Sequence, residues 1–306
     1  MTAQSTNACP CCGDLNSNLL GSLPDTDQFA GKSTAHSLHG GELFRCSVCQ
    51  LKYRYPIQEP DTYRQLYDNG ETSIWSGAVP RYDWDQIAQH LGEAGPDGRS
   101  VLDFGCNTGG FLARLGPGDK RFGIEINQAA AAIAAELHNA KVWSSIDEIP
   151  VDQRFDVIVA ADVVEHVANP QDLIDQLISL LSERGRLIVT TGDADNVWWN
   201  RFGANWWYCF HPEHIAFLSK SWLNYLVQQS ELKIIECQPF RYLKLGAIRL
   251  YVHSLFMVFY GYLPTVYLRV GNVLKKLLGR PSISNVLGNG VTADHLLIVL
   301  SRKNES

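Results

Sequence analysis

The alternation of short apolar runs with helical stretches from Ser100 onward constrains the fold of this chain more than any other feature of its sequence. Strands that alternate with helices of about 10–15 residues favour a doubly wound, mostly parallel α/β sheet. The sequence therefore predicts an α/β fold whose sheet spans residues 99–240 and is completed by a last strand within 295–306. Apolar runs of strand length recur at 101–104, 121–125, 141–143, 155–160, 186–190, 232–236 and 295–300, with helical patterns at 128–138, 171–182 and 219–230 between them.

Length and composition leave room for smaller segments beside this sheet. The chain has 306 residues, of which 45% are apolar, and this is enough for one large domain and a smaller one. We expect a small module at 1–60, a helical lead-in at 61–98 and an insertion at 241–294. The net charge of −6 disfavours a protein that grips nucleic-acid phosphates. The opening residues MTAQSTNACP show no secretory signal, so we expect a cytoplasmic protein.

The turn after the first predicted strand, VLDFGCNTGG at 101–110, is rich in glycine. Glycines at such a place let the backbone approach a ligand closely, and a helix through Leu112 would point its N-terminal N–H groups at that ligand. Glu125 lies 20 residues after Gly105, at the spacing where a carboxylate can accept both hydroxyls of a ribose. Asn107 stands where the dinucleotide pattern needs glycine, which disfavours a nicotinamide cofactor.

Three stretches, VLDFGCNTGGFL, FGIEI and FDVIVAADVVEHVANP, resemble the class I S-adenosylmethionine-dependent methyltransferases over residues 99–240 and the last strand. The resemblance implies a Rossmann-like methyltransferase core that binds S-adenosylmethionine. Asn107 replaces the usual glycine of the family, while Gly105 and Gly109 remain. The residues that the resemblance assigns to the cofactor are Asp103, Gly105, Cys106, Asn107 and Gly109 near its methionine part, Glu125 and Ile126 at its ribose and adenine edge, Ile146 beside the adenine, and Ala161 at the end of the fourth strand.

Acidic and histidine side chains follow the fourth predicted strand, where ligand sites form in open α/β sheets. Asp162, Glu165 and His166 fall within about one helical turn. We expect His166 to act as a general base or metal ligand and Glu165 to orient its ring. The pattern D-x-x-E-H also resembles the E-x-x-E-H of the ubiquinone-pathway O-methyltransferases. That resemblance implies a divalent metal such as Mg²⁺ on these three residues, although the shorter Asp reduces the reach. The alternative is a Glu–His pair that only orders the loop.

A second histidine cluster, HPEH at 211–214, follows the fifth strand, and we rank His214 as its candidate catalytic residue. Aromatic rings precede it and would border the substrate pocket, where they could stack on a sugar or an aromatic acceptor. Alternatively, they pack against other loops as a satellite core. Four tryptophans carry this pattern: Trp198, Trp199, Trp206 and Trp207.

Two C-x-x-C pairs in the N-terminal module supply four thiolates, a set suited to a structural zinc ion. Cys11 would be a bystander, and two disulfides or free thiols are the alternative. Methyltransferases with a zinc ribbon resemble this layout, including some that act on sugar nucleotides or RNA. The predicted zinc ligands are Cys9, Cys12, Cys46 and Cys49.

The insertion at 241–294 is unusually basic. It contains seven Lys or Arg residues between Arg241 and Ala293 and no Asp or Glu, whereas the rest of the chain has 19 basic and 32 acidic residues. The uncharged run 250–268 is near the lower limit for spanning a bilayer, but Pro264 and several tyrosines interrupt it. We therefore expect peripheral contact with a membrane through 241–280. The alternative is a helical cap over the pocket or a dimer contact.

Taken together, these patterns predict an S-adenosylmethionine-dependent methyltransferase. Its acceptor is expected to be an oxygen of a small molecule or of a sugar or glycan, either free or linked to a lipid or nucleotide. We expect no nucleic-acid partner, because the chain is acidic. The alternatives are a cofactor-binding scaffold without turnover and a zinc-ribbon RNA methyltransferase.

Overall fold

The computed structural model describes residues 7–30, 32–68, 81–242, 246–263 and 292–303, together with positions 266, 269–271, 273 and 277. The N-terminal part consists of short strands followed by two helices. These elements are β1 (Ser17–Ser22), β2 (Thr26–Phe29), β3 (Lys32–Leu38), β4 (Glu42–Cys46), β5 (Lys52–Tyr55), α1 (Pro60–Asp68) and α2 (Tyr82–Gln89).

Strands and helices then alternate, as the sequence predicts. The elements up to the fifth strand of this part are β6 (Ser100–Phe104), β7 (Lys120–Ile124), α3 (Gln128–His138), β8 (Lys141–Trp143), β9 (Phe155–Ala161), α4 (Pro170–Ser179) and β10 (Leu181–Gly192). The elements after it are α5 (Val197–Phe202), β11 (Ala216–Phe217), α6 (Lys220–Gln228), β12 (Leu232–Phe240), α7 (Ala247–Tyr262) and β13 (His295–Arg302).

The predicted doubly wound, mostly parallel sheet is confirmed. Its seven described strands lie in the order β12-β13-β10-β9-β6-β7-β8, and β13 is antiparallel to both of its neighbours. In the register of the central strands, Asp103 of β6 lies between Gly123 of β7 and Val159 of β9. The strand order reverses at β6 and β9, and the crevice at the carboxyl ends of strands at such a point is where open α/β sheets bind ligands.

Local capping side chains explain where the helices of the core begin. The Asn127 side chain accepts the Ala130 N–H at the start of α3, and the Ser219 hydroxyl accepts the Trp222 N–H at the start of α6. The Asn169 side chain caps α4 by accepting the N–H groups of Gln171 and Asp172. Pro170 is tolerated as the first residue of this helix, because an N–H at that position would have no partner within the helix. These caps fix the helices at the ends of the strands that form the crevice.

The helix expected through Leu112 is wrong, because only a short 3₁₀ turn, Leu112–Arg114, follows the glycine-rich turn. Asn107 and Gly109 both have left-handed backbone angles, with φ of +46° and +82°. Left-handed residues cannot belong to a right-handed helix, so no helix includes 107–109. The N–H groups of this turn bond within the protein, since Gly105 and Cys106 donate to the Ile124 carbonyl and Asn107 donates to Glu125.

The N-terminal part is joined to the core by a shared sheet. Its described strands lie in the order β1-β4-β5-β11, so that Ala216 of the core pairs with Tyr53 of β5. Cys11 adds a second link, since its thiol donates to Gln171 Oε1 at 3.3 Å and accepts the Trp222 Nε1–H at 3.4 Å. The expected module at 1–60 thus packs directly on α4 and α6.

Within the insertion, α7 is helical, as expected. In the part of the chain that the structure describes, no helix is long and apolar enough to cross a membrane. Several residues on which the expectation of membrane contact depends, Lys244, Pro264, Tyr267, Lys275, Lys276 and Arg280, lie outside the described residues.

Candidate functional site

A cavity of about 310 Å³ opens at the carboxyl ends of β6, β7 and β9. This volume falls at the lower end of the range for small-molecule sites. The predicted residues that line it are Asp103, Gly105, Cys106, Asn107, Glu125, Ile126, Ala161, Asp162 and His166. The predicted residues outside its lining are Gly109, Ile146, Glu165 and His214. The other lining residues include Tyr67, Arg81 and Trp84, which come from the N-terminal part of the chain and were not predicted as site residues.

The glycine-rich turn forms the floor of this cavity. The N–H groups of Gly105 and Cys106 both donate to the Ile124 carbonyl, at 2.9 and 3.0 Å, which ties the turn to β7. Gly105 has φ of +79°, and a Cβ added to it would lie 2.7 Å from Cγ2 of Val163. Asn107 also adopts a left-handed conformation, which explains why glycine is usual at this position. Asparagine is among the few other residues that enter this region readily.

Two predicted residues lie beside the cavity and not in its wall. A Cβ on Gly109 would lie 2.4 Å from Cδ2 of His138, so this glycine lets the turn approach α3 closely. Ile146 begins a 3₁₀ turn and packs against the main core cluster. Both residues therefore pack behind the cavity lining and support it without contacting the cavity.

Glu125 connects the two sides of the cavity through its carboxylate. Oε2 accepts the Asn107 N–H at 2.9 Å, and Oε1 accepts the Asn127 N–H at 2.8 Å. Burial raises the pKa of Glu125, and these backbone hydrogen bonds oppose the shift. A carboxylate has about four lone-pair positions, so each oxygen can still accept a ribose hydroxyl. The residue therefore fits the cofactor role that the resemblance implies.

Asp103 supplies a second carboxyl group to the cavity. It is buried at the end of β6, and burial raises its pKa to about 7, while the nearby Arg81 guanidinium lowers it. Near neutral pH this carboxyl group can therefore either accept or donate a hydrogen bond. An ammonium or sulfonium group in the cavity would favour its ionised form.

Arg81, which precedes α2, forms an ion-pair network with Asp162. Its Nη2 donates to Asp162 Oδ2 at 2.7 Å and to Asp83 Oδ2 at 2.5 Å, and the Tyr242 hydroxyl donates to the same Asp162 oxygen. The other Asp162 oxygen, Oδ1, is buried and has no hydrogen-bond partner among the described residues. A buried polar atom is normally satisfied, so Oδ1 is an acceptor that a ligand group can satisfy once the side chain turns this oxygen toward the cavity.

His166 stands beside Asp162 in the cavity wall. Its Nδ1 is 2.8 Å from the Tyr67 hydroxyl, and its ring centre is 5.0 Å from that of His214. Burial lowers the pKa of His166 and, more strongly, that of His214. Both imidazoles are therefore unprotonated near neutral pH. The Tyr208 carbonyl accepts the Nδ1–H of His214 at 2.8 Å, which leaves its Nε2 as an acceptor.

Glu165 is fully buried behind this pair. Its Oε1 accepts the Tyr208 hydroxyl, and its Oε2 accepts the Thr191 hydroxyl at 3.1 Å. Burial raises the pKa of Glu165 to about 8. Among the described side chains, the hydrogen bond that orients His166 comes from Tyr67, and Glu165 orients Tyr208 instead.

The structure brings two of the three predicted metal residues together, with His214 in place of Asp162. Ligand atoms of Glu165, His166 and His214 lie within 4.8 Å of one another, and Asp162 is not in this group. The carboxylate of Asp162 pairs with Arg81 instead. One carboxylate and two imidazoles form a donor set that suits zinc or iron better than Mg²⁺, which prefers oxygen ligands.

The four predicted zinc ligands do come together. The sulfur atoms of Cys9, Cys12, Cys46 and Cys49 lie within 4.8 Å of one another, with Cys9–Cys49 and Cys12–Cys46 distances of 3.5 Å. Sulfur atoms around a tetrahedral zinc ion, at about 2.3 Å from the metal, are roughly 3.8 Å apart. No disulfide joins these four cysteines in the structure. The cluster therefore fits a tetrahedral metal ion.

The tryptophans of the loop after β10 form a satellite core and do not line the described cavity. Trp199 and Trp206 are buried with Phe217 and Met257 in one cluster. Trp207 Nε1 donates to Asp294 Oδ2 at 3.0 Å. The packing alternative thus describes their position.

A sequence family described as a methyltransferase domain matches residues 79–237, just over half of the chain. The ubiquinone biosynthesis O-methyltransferase of Bradyrhizobium diazoefficiens is 35% identical in an alignment 104 residues long, which covers 31% of this chain and 40% of that protein. The tRNA U34 carboxymethyltransferase of Colwellia psychrerythraea is 27% identical in an alignment 129 residues long, which covers 38% of this chain and 39% of that protein. The matches thus cover about two-fifths of both relatives.

Among solved structures, the N-methyltransferase NodS from Bradyrhizobium japonicum was determined in complex with S-adenosyl-L-homocysteine. It shares 14% identity with this chain, and the alignment covers 73% of this chain and 85% of NodS with a TM-score of 0.44. The family match at 79–237 includes every cavity-lining residue except Tyr67.

Proposed function

Since the chain belongs to the class I S-adenosylmethionine-dependent methyltransferases, we propose that it methylates a hydroxyl oxygen of a small molecule or glycan. S-adenosylmethionine supplies a methyl group that a nucleophile can take by direct displacement. The observation that carries the proposal is that Asp162 and His166 line the same cavity, while Oδ1 of Asp162 has no hydrogen-bond partner among the described residues.

A hydroxyl nucleophile must be oriented and must also lose its proton. Asp162 Oδ1 can accept a hydrogen bond from such a hydroxyl, because Arg81 and Tyr242 hold the carboxylate through its other oxygen. His166 lines the same cavity, and burial lowers its pKa. The imidazole is therefore neutral near neutral pH and is free to accept the proton. We therefore assign Asp162 to acceptor orientation and His166 to proton removal, with Tyr67 holding the imidazole.

The first acceptors to test are lipid-linked and nucleotide-linked glycans. These acceptors are anionic, and the insertion at 241–294 carries seven basic residues and no acidic ones before Asp294. Electrostatic attraction of this kind raises the local concentration of an anionic substrate. Phenols and transfer RNA complete the panel, since the named relatives act on ubiquinone precursors and on tRNA.

The proposal is tested by mass spectrometry of each acceptor after incubation with S-adenosylmethionine. His166→Ala should lower turnover by about 10²–10⁴-fold, the usual effect of losing an acid–base group, while cofactor affinity stays nearly unchanged. Asp162→Asn should mainly raise the KM of the acceptor. His36→Ala, on the exposed face of β3, is the matched control.

Four outcomes would contradict parts of this assignment. Full turnover in His166→Ala would move proton removal elsewhere, with His214 as the next candidate. Methyl transfer to amines alone would refute oxygen as the target. Transfer to RNA alone would favour the zinc-ribbon RNA methyltransferases. Cofactor binding without turnover on any acceptor would leave the scaffold alternative.

We also propose that the four-cysteine cluster binds one structural zinc ion. Its sulfur geometry supports a tetrahedral ion, and thiolates favour zinc among common cellular metals. Elemental analysis should give about one zinc per chain, and Cys46→Ser should lose it. Cys237→Ser, which lies outside the cluster, should retain it. Iron in place of zinc, or metal-free protein, would refute the assignment.

A further inference from the structure

Helix α7 carries an apolar face that points away from the rest of the protein. Ile248, Tyr251, Leu255, Val258 and Tyr262 recur at helical spacing, and their exposed fractions are 81%, 67%, 51%, 44% and 70%. We call these five residues the apolar stripe. Large contiguous apolar surfaces are rare on soluble monomers and mark contact sites.

The opposite face of α7 fixes the helix to the core. Met257 is fully buried in the cluster that contains Trp199 and Trp206. The ring of Tyr260 is 5.6 Å from that of Phe202. The last residue of the stripe, Tyr262, also touches the core, because the Arg201 guanidinium lies 4.7 Å over its ring. Since one face is anchored in this way, the stripe is presented outward as a fixed surface.

The apolar surface continues beyond α7 at the described helical positions. Val266, Val270, Val273 and Leu277 follow at spacings of four, three and four residues, with exposed fractions of 44%, 49%, 59% and 77%. The exposed apolar surface therefore extends beyond α7 to these four described positions.

The charge of the same segment is positive throughout. Residues 241–293 contain seven Lys or Arg and no Asp or Glu, and Arg249 and Arg269 are exposed on described helical positions. The remainder of the chain has 19 basic against 32 acidic residues. Apolar side chains beside basic ones are the composition that binds the interface of an anionic bilayer.

We infer that the apolar stripe docks this protein on an anionic lipid bilayer. α7 has 16 residues and is therefore about 24 Å long, shorter than the roughly 30 Å hydrocarbon core, so the helix would lie in the plane of the interface. A second copy of the chain fits the surface less well. A symmetric contact through α7 would bring two positive segments together without acidic partners.

The docked orientation would place the cavity close to the membrane. Tyr242, four positions before Gly246 at the start of α7, donates its hydroxyl to Asp162 in the cavity wall. The segment that follows this contact carries the stripe. An acceptor with a lipid anchor could therefore reach the cavity while its anchor stays in the bilayer.

The test is co-sedimentation of the full chain with vesicles of phosphatidylglycerol and phosphatidylcholine. The wild type should sediment with them at low ionic strength, bind less at high ionic strength, and bind weakly to phosphatidylcholine alone. Leu255→Glu should weaken binding by roughly tenfold or more, because burying a leucine side chain contributes at least that factor. Leu137→Glu, at an exposed leucine of α3, should bind like the wild type.

Wild-type protein that stays in the supernatant at low ionic strength would overturn the inference, as would equal binding of Leu255→Glu and the wild type. A lipid-free dimer that Leu255→Glu dissociates, without vesicle binding, would assign the stripe to a second copy instead. Retained cofactor binding shows that each variant is folded. Vesicle binding requires no methyl transfer, so its failure and the failure of the proposed function are distinguishable.

Discussion

Replacing Glu125 tests how the cavity recognises the ribose of its cofactor. In the structure, each oxygen of this carboxylate accepts one backbone N–H, from Asn107 at 2.9 Å and from Asn127 at 2.8 Å. Glu125→Gln keeps the shape but turns an NH₂ group toward one of these donors. Glu125→Ala removes both acceptors, together with any acceptor for the ribose hydroxyls.

The expected magnitudes follow from the number of bonds lost. A hydrogen bond to a charged group contributes about 1.5–3 kcal/mol, which corresponds to roughly 10- to 150-fold in Kd. Glu125→Gln should therefore weaken S-adenosylmethionine binding by roughly tenfold. Glu125→Ala should weaken it by roughly 100-fold, because it also frees the glycine-rich turn. The free protein should lose about 1–3 kcal/mol of unfolding free energy in both variants, since a backbone donor loses its acceptor.

Isothermal titration calorimetry with S-adenosylmethionine and S-adenosylhomocysteine measures the binding, and urea denaturation measures the stability. Glu136→Gln, on the exposed face of α3, is the matched control. An unchanged Kd for both ligands in Glu125→Ala would refute the assigned ribose contact. Reduced stability with an unchanged Kd would mean that Glu125 holds the glycine-rich turn in place but does not bind the cofactor.

Two further predictions concern the same cavity. Gly105→Ala places a Cβ 2.7 Å from Cγ2 of Val163 at a φ of +79°. Denaturation should therefore show a loss of about 1–2 kcal/mol of unfolding free energy from backbone strain alone. Gly95→Ala is the control and should change this free energy little, because a Cβ on Gly95 would have nothing within 4 Å. Burial raises the pKa of Asp103 from its ordinary value of 3.8 to about 7. Because the folded protein holds this proton more tightly than the unfolded chain, Asp103 stabilises the folded state fully below pH 3.8, and this stabilisation is lost as the pH rises through 7. Over that range the ionised carboxylate should tighten binding of the cationic cofactor, and calorimetry of Asp103→Asn should show no such pH dependence.

Local patterns were sufficient to predict the sheet and one side of the cavity. Asp103, Glu125 and Asp162 each follow or end a strand whose apolar run is plain in the sequence, and parallel strands bring their carboxyl ends to one edge. The expected helix after the glycine-rich turn was wrong, since only a 3₁₀ turn forms there, and the left-handed angles of Asn107 and Gly109 were not indicated by any period of apolar residues. Dihedral requirements of single residues are not encoded in hydrophobic spacing.

The side chains that bond to His166 and Asp162 could not be predicted, since they come from distant parts of the chain. Tyr67 belongs to α1, Arg81 precedes α2, and Tyr242 follows β12. None of them lies in a motif, and only tertiary packing brings them to His166 and Asp162. The pairing of β11 with β5 was equally hidden, because a two-residue strand has no periodicity to detect.

That hidden pairing gives the four-cysteine module a role in the site. Arg54 of β5 is buried, and its guanidinium donates to the carbonyls of His214 at 3.0 Å, Cys209 at 2.8 Å and His211 at 3.1 Å. These three carbonyls shape the loop that sets His214 against His166. β4, which pairs with β5, ends at Cys46 of the cluster, so the four-cysteine cluster and the histidine loop are held by one small sheet. If the cluster binds zinc as proposed, loss of that ion should disturb the His214 side of the site, although no cysteine of the cluster lines the cavity.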